Sequence, residues 1–435
     1  MPVIQNGSTV TLQNGKVAVI KDKIGEGGQG NVYIVDIDGK EYALKWYHKN
    51  VLNEPEKYYA NLENNIEQGA PTSAFLWPKF LTEKYDNEFG YVMDLKPSEY
   101  KSFSDFLLTR VRFPSISAVV NAALNITNGF RELHRKGFSY QDLNDGNFFI
   151  NPQNGDVLIC DNDNVAPYGE SLGIAGKARY MAPEVVRNIK RPDIMTDRFS
   201  LSVILFRLLF LDHPLEGKRT LCPCLTEELE QKFYGISPLF IYDPNDSSNA
   251  PVRGVHCNVI KLWKYYPKFI RDKFTKAFSQ ECMCGGTSRP TDNDWQIAFT
   301  RLRDCIVKCP CGGETFINLN EAESTCINCG TKIPCPPLLL TKKYKVALFP
   351  GNKIYRCHTD EDSDDYSVAV GQVIRSQNRS DIWGLRNLSQ NDWTVTLTDG
   401  TESTLEPGKV QIIVKADSID FGNCVGTIEI NKHST

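Results

Sequence analysis

The sequence has no surplus of charge of either sign and no long hydrophobic run. Its 49 basic residues face 53 acidic ones, a formal net charge of −4, so its composition indicates neither a nucleic-acid footprint nor electrostatic attachment to a membrane. The most apolar stretch, Phe199 to Leu211, is interrupted by Arg207 and is too short to cross a bilayer. We therefore expect a protein that binds neither nucleic acid nor membrane.

A secretory signal is also missing, because the amino terminus has no basic segment followed by an apolar one. Fourteen cysteines without such a signal favour a reducing compartment, in which clustered thiols bind metal rather than form disulfides. The expected location is cytoplasmic. A chain of 435 residues is long enough for two or three domains.

One stretch carries side chains suited to a hard cation. Asp142 and Asn147 lie five positions apart on a predicted loop, and Asp161 ends the β-hairpin that follows them. Such a hairpin brings three oxygen-bearing side chains to one edge. A carboxylate and an amide can hold Mg²⁺ while a second carboxylate receives a hydroxyl proton. The alternative is a set of ordinary turn residues.

A glycine-rich segment precedes this stretch, with Gly25, Gly27 and Gly30 in the spacing G-x-G-x-x-G. A dinucleotide-binding loop would open a helix, but strand-like residues 32–35 follow here. We predict a β-turn whose backbone N–H groups close over phosphates. Lys45 ends a strand fifteen positions after Gly30, and at that spacing a phosphate ligand is favoured over a snorkelling edge residue.

A helix is predicted from about Pro55 to Gln68. Its Glu63 could reach Lys45 and hold it toward the phosphates, with Glu67 as the alternative. A solvated helix face is the competing interpretation.

A hinge between two lobes is predicted after the strand 90–95. Met93 would face an adenine ring, and the backbone from Asp94 through Leu95 to Lys96 would hydrogen-bond its edge.

Together these motifs resemble the ordered signature of the eukaryotic-type protein kinase family. The segment 180–184 resembles the family's Ala-Pro-Glu segment, with Arg289 expected to pair with Glu184. Asp197 resembles the start of the buried central helix and would brace the catalytic loop. The resemblance covers about residues 10 to 306 and implies ATP and Mg²⁺ (or Mn²⁺) as cofactors. The ATP site that it implies consists of Gly25, Gly27, Gly30, Val32, Ala43, Lys45, Met93, Asp94 and Leu95.

The resemblance also implies a role for each charged residue. Lys45 would hold the α- and β-phosphates, and Glu63 would hold Lys45. Asp161 and Asn147 would hold Mg²⁺, while Asp142 would orient and deprotonate the acceptor hydroxyl. The implied activity is transfer of the γ-phosphate of ATP to serine or threonine hydroxyls of proteins.

The activation segment departs from the family pattern. Gln141 replaces the arginine that normally receives an activation-segment phosphate. After Asp161, only Tyr168 and Ser171 carry hydroxyls before Gly176. We therefore expect activity without activation-loop phosphorylation.

Further departures surround the phosphate-binding charges. Asn144 replaces the lysine that meets the γ-phosphate, and we hypothesise that Lys177 supplies that charge from the activation segment. A surface lysine in a mobile loop is the alternative. Asp161-Asn162-Asp163 replaces Asp-Phe-Gly, which removes an apolar plug and a flexible hinge, and Asp163 could add a carboxylate near the metals. These departures leave a nucleotide-binding pseudokinase adaptor as the alternative function.

Two cysteine pairs predict a zinc ribbon over residues 307–337. Cys309 and Cys311 are separated by fourteen residues from Cys326 and Cys329, and glycine follows each pair. The first pair is one residue tighter than usual, so Cys305 could replace one ligand. We expect structural zinc. A second metal site or ordinary buried thiols are both open for Cys222, Cys224, Cys282 and Cys284.

Residues 341–435 alternate in short strands separated by turns, which predicts a β-sandwich. Its end, at 405–408 and 419–422, loosely resembles forkhead-associated domains, which bind phosphothreonine. Arg379, Ser380 and Arg386 are the candidates for such a site. A phosphopeptide reader and a plain scaffold remain equally open.

The predicted fold class is α+β, with a bilobal protein-kinase-like fold over 1–306 (lobes at about 8–95 and 96–306), a small zinc ribbon and an all-β sandwich domain. This layout resembles bacterial kinases of the tellurite-resistance-associated triads. Those kinases accompany a metal-dependent protein phosphatase and a von Willebrand A-type protein. Besides protein substrates, these two proteins are the partners that the resemblance implies.

Overall fold

The computed structural model describes residues 4–85, 88–170, 172–173, 176–285, 287–379 and 381–430. Contacts divide the chain into two compact units. The first contains residues 1–114, 121–262 and 272–293, and the second contains 115–120, 263–271 and 294–435. No helix in the described segments is long and apolar enough to cross a bilayer.

The helices are α1 (Pro55–Gln68), α2 (Phe103–Leu107), α3 (Ile116–Arg135), α4 (Pro183–Val186), α5 (Ile194–Phe210), α6 (Glu227–Glu230), α7 (Cys257–Leu262), α8 (Lys268–Ala277), α9 (Gln280–Met283), α10 (Asp292–Asp304) and α11 (Arg356–Thr359). The strands of the first unit are β1 (Thr9–Thr11), β2 (Val17–Glu26), β3 (Gly30–Ile37), β4 (Lys40–Tyr47), β5 (Phe80–Leu81), β6 (Gly90–Met93), β7 (Lys101–Ser102), β8 (Phe138–Ser139), β9 (Phe148–Ile150), β10 (Val157–Ile159) and β11 (Ala166–Pro167). Those of the second unit are β12 (Ile306–Lys308), β13 (Glu314–Phe316), β14 (Glu323–Thr325), β15 (Lys332–Pro334), β16 (Leu338–Leu340), β17 (Lys345–Ala347), β18 (Lys353–Tyr355), β19 (Ala369–Arg375), β20 (Trp383–Asn387), β21 (Trp393–Leu397), β22 (Glu402–Leu405), β23 (Val410–Ile412), β24 (Ala416–Asp420) and β25 (Val425–Glu429).

An antiparallel sheet of order β1-β2-β3-β4-β6-β5 forms the amino-terminal part of the first unit. Asp38 and Gly39 both have positive φ (54° and 83°), as the turn of the tight β3–β4 hairpin requires. The glycine segment joins β2 to β3, as predicted. Gly30 must be glycine because a Cβ there would lie 2.3 Å from the carbonyl oxygen of Trp46 on β4.

Helix α5 forms part of the core of the first unit. It begins with a capping box between Asp193 and Thr196, and most of its side chains are buried. The predicted pair between Arg289 and Glu184 is confirmed: the guanidinium donates to both carboxylate oxygens, at 2.7 and 2.8 Å, with both side chains buried. Strands β9 and β10 form the predicted hairpin and extend to β7 in a small sheet.

The second unit contains two larger antiparallel sheets, of order β17-β16-β25-β24-β21-β22 and β18-β19-β20-β23. Side chains of both sheets share one hydrophobic core that includes Leu339, Ile354, Leu385 and Trp393. The all-β character predicted for 341–435 is therefore confirmed.

Residues 294–306 group with the carboxy-terminal residues, whereas the sequence placed the boundary after 306. Helix α10 explains the difference. Its Ile297 packs on the shared core, and Arg303 lies 3.4 Å from the Tyr355 ring centroid and donates to the Tyr366 carbonyl at 2.9 Å. Asp304 lies 3.1 Å from His358 Nε2. The sequence does not specify the core that this helix joins.

Candidate active site

Lys45 lies near the end of β4 with its side chain buried. Its Nζ is 2.8 Å from Asp163 Oδ2, 3.3 Å from Asp161 Oδ1 and 3.2 Å from Gln29 Oε1 of the glycine segment. Burial alone lowers the pKa of Lys45, but the two carboxylates outweigh it and hold the pKa above its ordinary value. The lysine is therefore a fixed cation beneath the glycine turn.

The predicted pair between Glu63 and Lys45 is not formed. Glu63 Oε1 instead accepts a hydrogen bond from Gln13 Nε2 at 2.5 Å, and the alternative, Glu67, is exposed. The reason is the helical period, which places both glutamates off the buried face of α1. That face consists of Tyr58, Tyr59, Asn61, Leu62 and Asn65.

Neutral polar groups on α1 bind the segment that follows Asp161. Tyr58 Oη donates to Asn164 Oδ1 at 2.9 Å. The amides of Asn61 and Asn65 both donate to the Val165 carbonyl, at 2.8 and 2.9 Å. All three bonds are buried, so α1 is joined to this segment without an ion pair.

Asp163, which could add a carboxylate near the metals, is bound by other side chains of the site. Its side chain is 0% exposed and accepts hydrogen bonds from Tyr47 Oη at 2.6 Å, Tyr91 Oη at 3.3 Å and Lys45 Nζ at 2.8 Å. Asp161, by contrast, keeps 42% of its side chain exposed. The two carboxylates therefore have different surroundings.

Asn162 occupies the place of the family's phenylalanine and is fully buried. Its amide donates to the carbonyls of Leu76 and Ile159, both at 2.9 Å. Where the family has an apolar side chain, this chain has a buried amide held by two hydrogen bonds.

Asp197, at the start of α5, braces the catalytic loop as predicted. Its carboxylate accepts the backbone N–H of Tyr140 at 2.6 Å and that of Gln141 at 3.1 Å. Gln141 has a positive φ of 70°, a conformation that these bonds support. Asp142 follows directly.

Asp142 is largely withdrawn from water. Burial raises the pKa of Asp142 to about 6; the hydrogen bond from Asn144 opposes this shift, and Asp161 adds to it. Asn144 Nδ2 lies 3.3 Å from Asp142 Oδ1. A carboxylate with this pKa suits proton transfer near neutral pH.

Asn147 and Asp161 present the oxygen atoms expected of a magnesium site. Asn147 Nδ2 donates to Tyr140 Oη at 3.1 Å and to the Asp142 carbonyl at 2.8 Å. Its amide hydrogens are thus used within the loop, and its Oδ1 is left for a ligand. One amide oxygen and one half-exposed carboxylate form a donor set that fits Mg²⁺ or Mn²⁺.

Lys177 and Asn144 lie together, as predicted, with Nζ 3.0 Å from Asn144 Oδ1. Lys177 Nζ is also 3.9 Å from Asp145 Oδ1. Gln141 Nε2 donates to the Glu170 carbonyl in the activation segment at 2.8 Å. Ser171 lies outside the described residues.

The residues predicted around adenine line one apolar cluster. Ala43 pairs with Met93 across β4 and β6, and Val32 and Leu95 pack against the same cluster. The side chain of Asp94 turns to Lys79, at 2.7 Å. Phe149, which was not predicted at this site, packs against the same cluster, and its position two residues after Asn147 was a usable signal. Gln29, which contacts Lys45, was not predicted either, because it belongs to no pattern of its own.

The four predicted ribbon cysteines converge in the second unit. Their sulfur atoms lie within 4.8 Å of one another, with Cys309 and Cys329 at 3.7 Å and Cys311 and Cys326 at 3.9 Å. A ZnS₄ tetrahedron with bonds of about 2.3 Å has edges of about 3.8 Å, so the cluster fits zinc.

Cys305 takes no part in this cluster. It is buried, and its sulfur contacts the Leu302 carbonyl at 3.2 Å. Within the described residues, the four ribbon cysteines are the only such group. A second site at Cys222, Cys224, Cys282 and Cys284 is therefore not formed there.

Comparison with known proteins agrees with this geometry. The protein kinase domain model matches residues 18–268. The probable serine/threonine-protein kinase RTK1 of Saccharomyces cerevisiae is 23% identical over 261 residues, which cover 57% of this chain and 39% of that protein. The serine/threonine-protein kinase sck2 of Schizosaccharomyces pombe is 28% identical over 195 residues, which cover 42% of this chain and 29% of that protein.

A bacterial relative is also similar. The probable serine/threonine-protein kinase PknB of Bifidobacterium longum is 30% identical over 101 residues, covering 22% of this chain and 14% of that protein. The chain spans less than half the length of the first curated relatives that it matches. Because the family match extends over more than half of the sequence, the chain belongs to the protein kinase domain family.

Proposed function

We propose that this protein is an ATP- and Mg²⁺-dependent serine/threonine protein kinase. The observation that carries the proposal is the convergence of Lys45 with Asp161, at 3.3 Å, beside Asn147, whose amide donates to the Asp142 carbonyl at 2.8 Å. A cation for phosphates, a metal ligand and a base are thus close together. The serine/threonine kinases among its relatives support the acceptor class.

Each residue has a role in this proposal. Lys45 binds the α- and β-phosphates under the glycine turn, and Asp142 orients the acceptor hydroxyl and receives its proton. Asn147 and Asp161 hold Mg²⁺, which when bound neutralises charge on the phosphates. Val32, Ala43, Met93, Leu95 and Phe149 provide the apolar slot for adenine.

Lys177 completes the charge around the γ-phosphate in this proposal. Its ammonium contacts Asn144 Oδ1 at 3.0 Å, at the position where the family has a lysine. The charge that the family's lysine provides at position 144 would thereby come from Lys177 of the activation segment.

The activation segment needs no phosphate in this proposal. Gln141 donates an uncharged hydrogen bond to the Glu170 carbonyl, where the family's arginine would wait for a phosphate. The prediction of activity without activation-loop phosphorylation rests on this contact. A sample shown by mass measurement to be unphosphorylated should be active.

The competing function is that of a nucleotide-binding pseudokinase adaptor. Incubation with radiolabelled ATP and a generic protein acceptor, compared with Asp142→Ala, separates the two. Label on the acceptor or on the chain itself, lost in the variant, supports the kinase. Nucleotide binding without transfer in either protein supports the adaptor.

The four-cysteine cluster is proposed to hold structural zinc. Four thiolates leave no open coordination position for a substrate. The cluster joins two short hairpins, β12–β13 and β14–β15, which have little core of their own.

The carboxy-terminal β domain is proposed to recruit partners, and its forkhead-associated likeness belongs to this proposal. Arg379 is paired with Asp381 at 2.7 Å, and Ser380 lies outside the described residues, so Arg386 is the better candidate for phosphothreonine. Binding of a phosphothreonine peptide, weakened by Arg386→Ala, would favour a reader over a scaffold. The von Willebrand A-type protein and the metal-dependent phosphatase remain proposed partners.

A further inference from the structure

Asp163 is the nearest carboxylate to Lys45 among the described residues, 2.8 Å from Nζ against 3.3 Å for Asp161. We infer that Asp163 is the positioning residue for Lys45, so that the phosphate-binding lysine is held by the segment after the metal ligand and not by helix α1. The inference rests on the proposed function and describes how that site is assembled.

The environment of Asp163 is built around a buried anion. The carboxylate is fully enclosed, and two phenols, Tyr47 Oη at 2.6 Å and Tyr91 Oη at 3.3 Å, donate to it besides the lysine. A carboxylate withdrawn from water remains ionised only with such partners. Its three donors fix its position, and it in turn fixes the ammonium.

Helix α1 has no carboxylate available for this role among its described residues. Glu56 pairs with Lys84, Glu63 accepts from Gln13, and Glu67 is exposed in the last turn. The helix face toward the segment after Asp161 presents neutral groups only.

Asp161 and Asp163 have different roles in this inference. Asp161 is half-exposed and free to turn toward a cation, and a cation bound there would compete with Lys45 for the carboxylate. Asp163 is inaccessible to a metal and remains with Lys45.

The consequence concerns regulation. Where a glutamate on a mobile helix holds the lysine, movement of that helix can switch the site. Here Lys45 and its carboxylate remain together regardless of the charged residues of α1, and Tyr58, Asn61 and Asn65 tie the helix by neutral bonds. Among the described residues, no carboxylate of α1 contributes to the position of Lys45.

The test uses an adenosine that carries a sulfonyl fluoride, on the full-length chain. A neutral lysine amine attacks the sulfur, fluoride leaves, and peptide mass measurement locates the label. ATP-protected labelling of Lys45 establishes the nucleotide site in the wild-type chain. Asp163→Asn removes the carboxylate nearest to Nζ, so the ammonium is no longer held in place and the Kd for ATP should rise about tenfold. A purely structural role would lower the unfolding temperature and leave the Kd for ATP of the folded protein unchanged.

Glu63→Gln is the matched variant and should bind ATP with the wild-type Kd. If Asp163→Asn does not fold, Tyr47→Phe, which removes one donor to Asp163, should give a smaller rise in the Kd. An unchanged Kd in the folded Asp163→Asn variant, or a raised Kd in Glu63→Gln, overturns the inference. Absence of ATP-protected labelling in the wild-type chain overturns the nucleotide site, and with it the proposed function.

Discussion

At the scale of single residues, the same side-chain type does different work according to its surroundings. Asp142, Asp161 and Asp163 lie within one region of the first unit. Burial raises the pKa of Asp142 to about 6, Asp161 keeps 42% of its side chain exposed, and three donors fix the buried carboxylate of Asp163. Residue type alone assigns none of these roles.

The raised pKa of Asp142 predicts an acid limb in the activity profile. Only the ionised carboxylate can accept a proton, so kcat/KM should fall about tenfold per pH unit below pH 6 and level off above it. Asp142→Asn should lower kcat by about 10² to 10⁴-fold and abolish the acid limb.

Stability provides the control for that variant. Because the folded state raises the pKa of Asp142, the carboxyl stabilises the fold at low pH and this contribution is lost as pH rises through about 6. Asp142→Asn should therefore unfold at no lower temperature than the wild type at pH 7. A lower unfolding temperature would mean that the residue acts structurally.

Lys177 is predicted to stabilise the transition state. Lys177→Ala should lose about 3 kcal/mol, roughly a hundredfold in kcat, because Lys177 contacts Asn144 at the position where the family has a lysine. Lys218→Ala, an exposed lysine elsewhere in the first unit, is the control. Equal kcat values for the two variants would contradict the hypothesis that Lys177 supplies the charge missing at Asn144.

Much of the candidate site could be predicted from sequence order. Lys45, Asp142, Asn147 and Asp161 fall in motifs whose spacing is set by strands and tight loops. The partner of Lys45 could not be predicted that way, because it depends on which face of α1 is buried. Asp163 became the partner through burial against two tyrosines from other strands, which no local pattern records.

At the scale of elements, a buried histidine of the first unit contacts two aspartates at the starts of helices. His134 lies 3.3 Å from Asp197 of α5 and 2.9 Å from Asp292 of α10. Burial lowers the pKa of His134, but the aspartates outweigh it and raise it to about 9. The charged imidazole thus stabilises the same aspartate that braces the catalytic loop.

This linkage predicts a loss of stability in alkali. The contribution of His134 is complete below its unfolded pKa of about 6.5 and is lost as pH rises through about 9. The free energy of unfolding by urea should fall by on the order of 3 kcal/mol across that window. His134→Gln should flatten this part of the profile, and an unchanged slope would contradict the assignment.

The cysteine cluster predicts about one zinc ion per chain, measured by atomic absorption. Removal by a chelator, or Cys326→Ser, should increase hydrogen exchange in β12 to β15, because these hairpins have little other core. Cys305→Ser should keep the metal, since that thiol lies apart from the cluster. Metal loss in Cys305→Ser would reverse the ligand assignment.

Individual strands were easier to predict from the sequence than the strands with which they pair. The strand over 393–397 and the hairpin between β9 and β10 follow from alternation and turns. In contrast, β18 and β20 pair with neighbours through backbone bonds that their sequences do not specify, and β20 contains a glycine at 384 that approaches the Val410 side chain. Which strands pair with each other depends on tertiary contacts.

At the scale of the whole chain, the two units are not consecutive in sequence. A chain cut after residue 306 removes the partners of Ile297, Arg303 and Asp304 on α10. We expect faster hydrogen exchange in α10 and a greater tendency to aggregate, because an apolar helix face becomes exposed. Full protection of α10 in the shortened chain would instead support the boundary first predicted from the sequence.

The anchored amide of Asn162 has a pharmacological consequence. Some inhibitors bind an apolar pocket next to the nucleotide cleft that opens when an aromatic side chain moves out of it. Here the departing group would give up two interior hydrogen bonds, each costing about 1–3 kcal/mol if unreplaced, and would leave polar carbonyls behind. Compounds against this enzyme should therefore be sought among those that stay within the adenine slot.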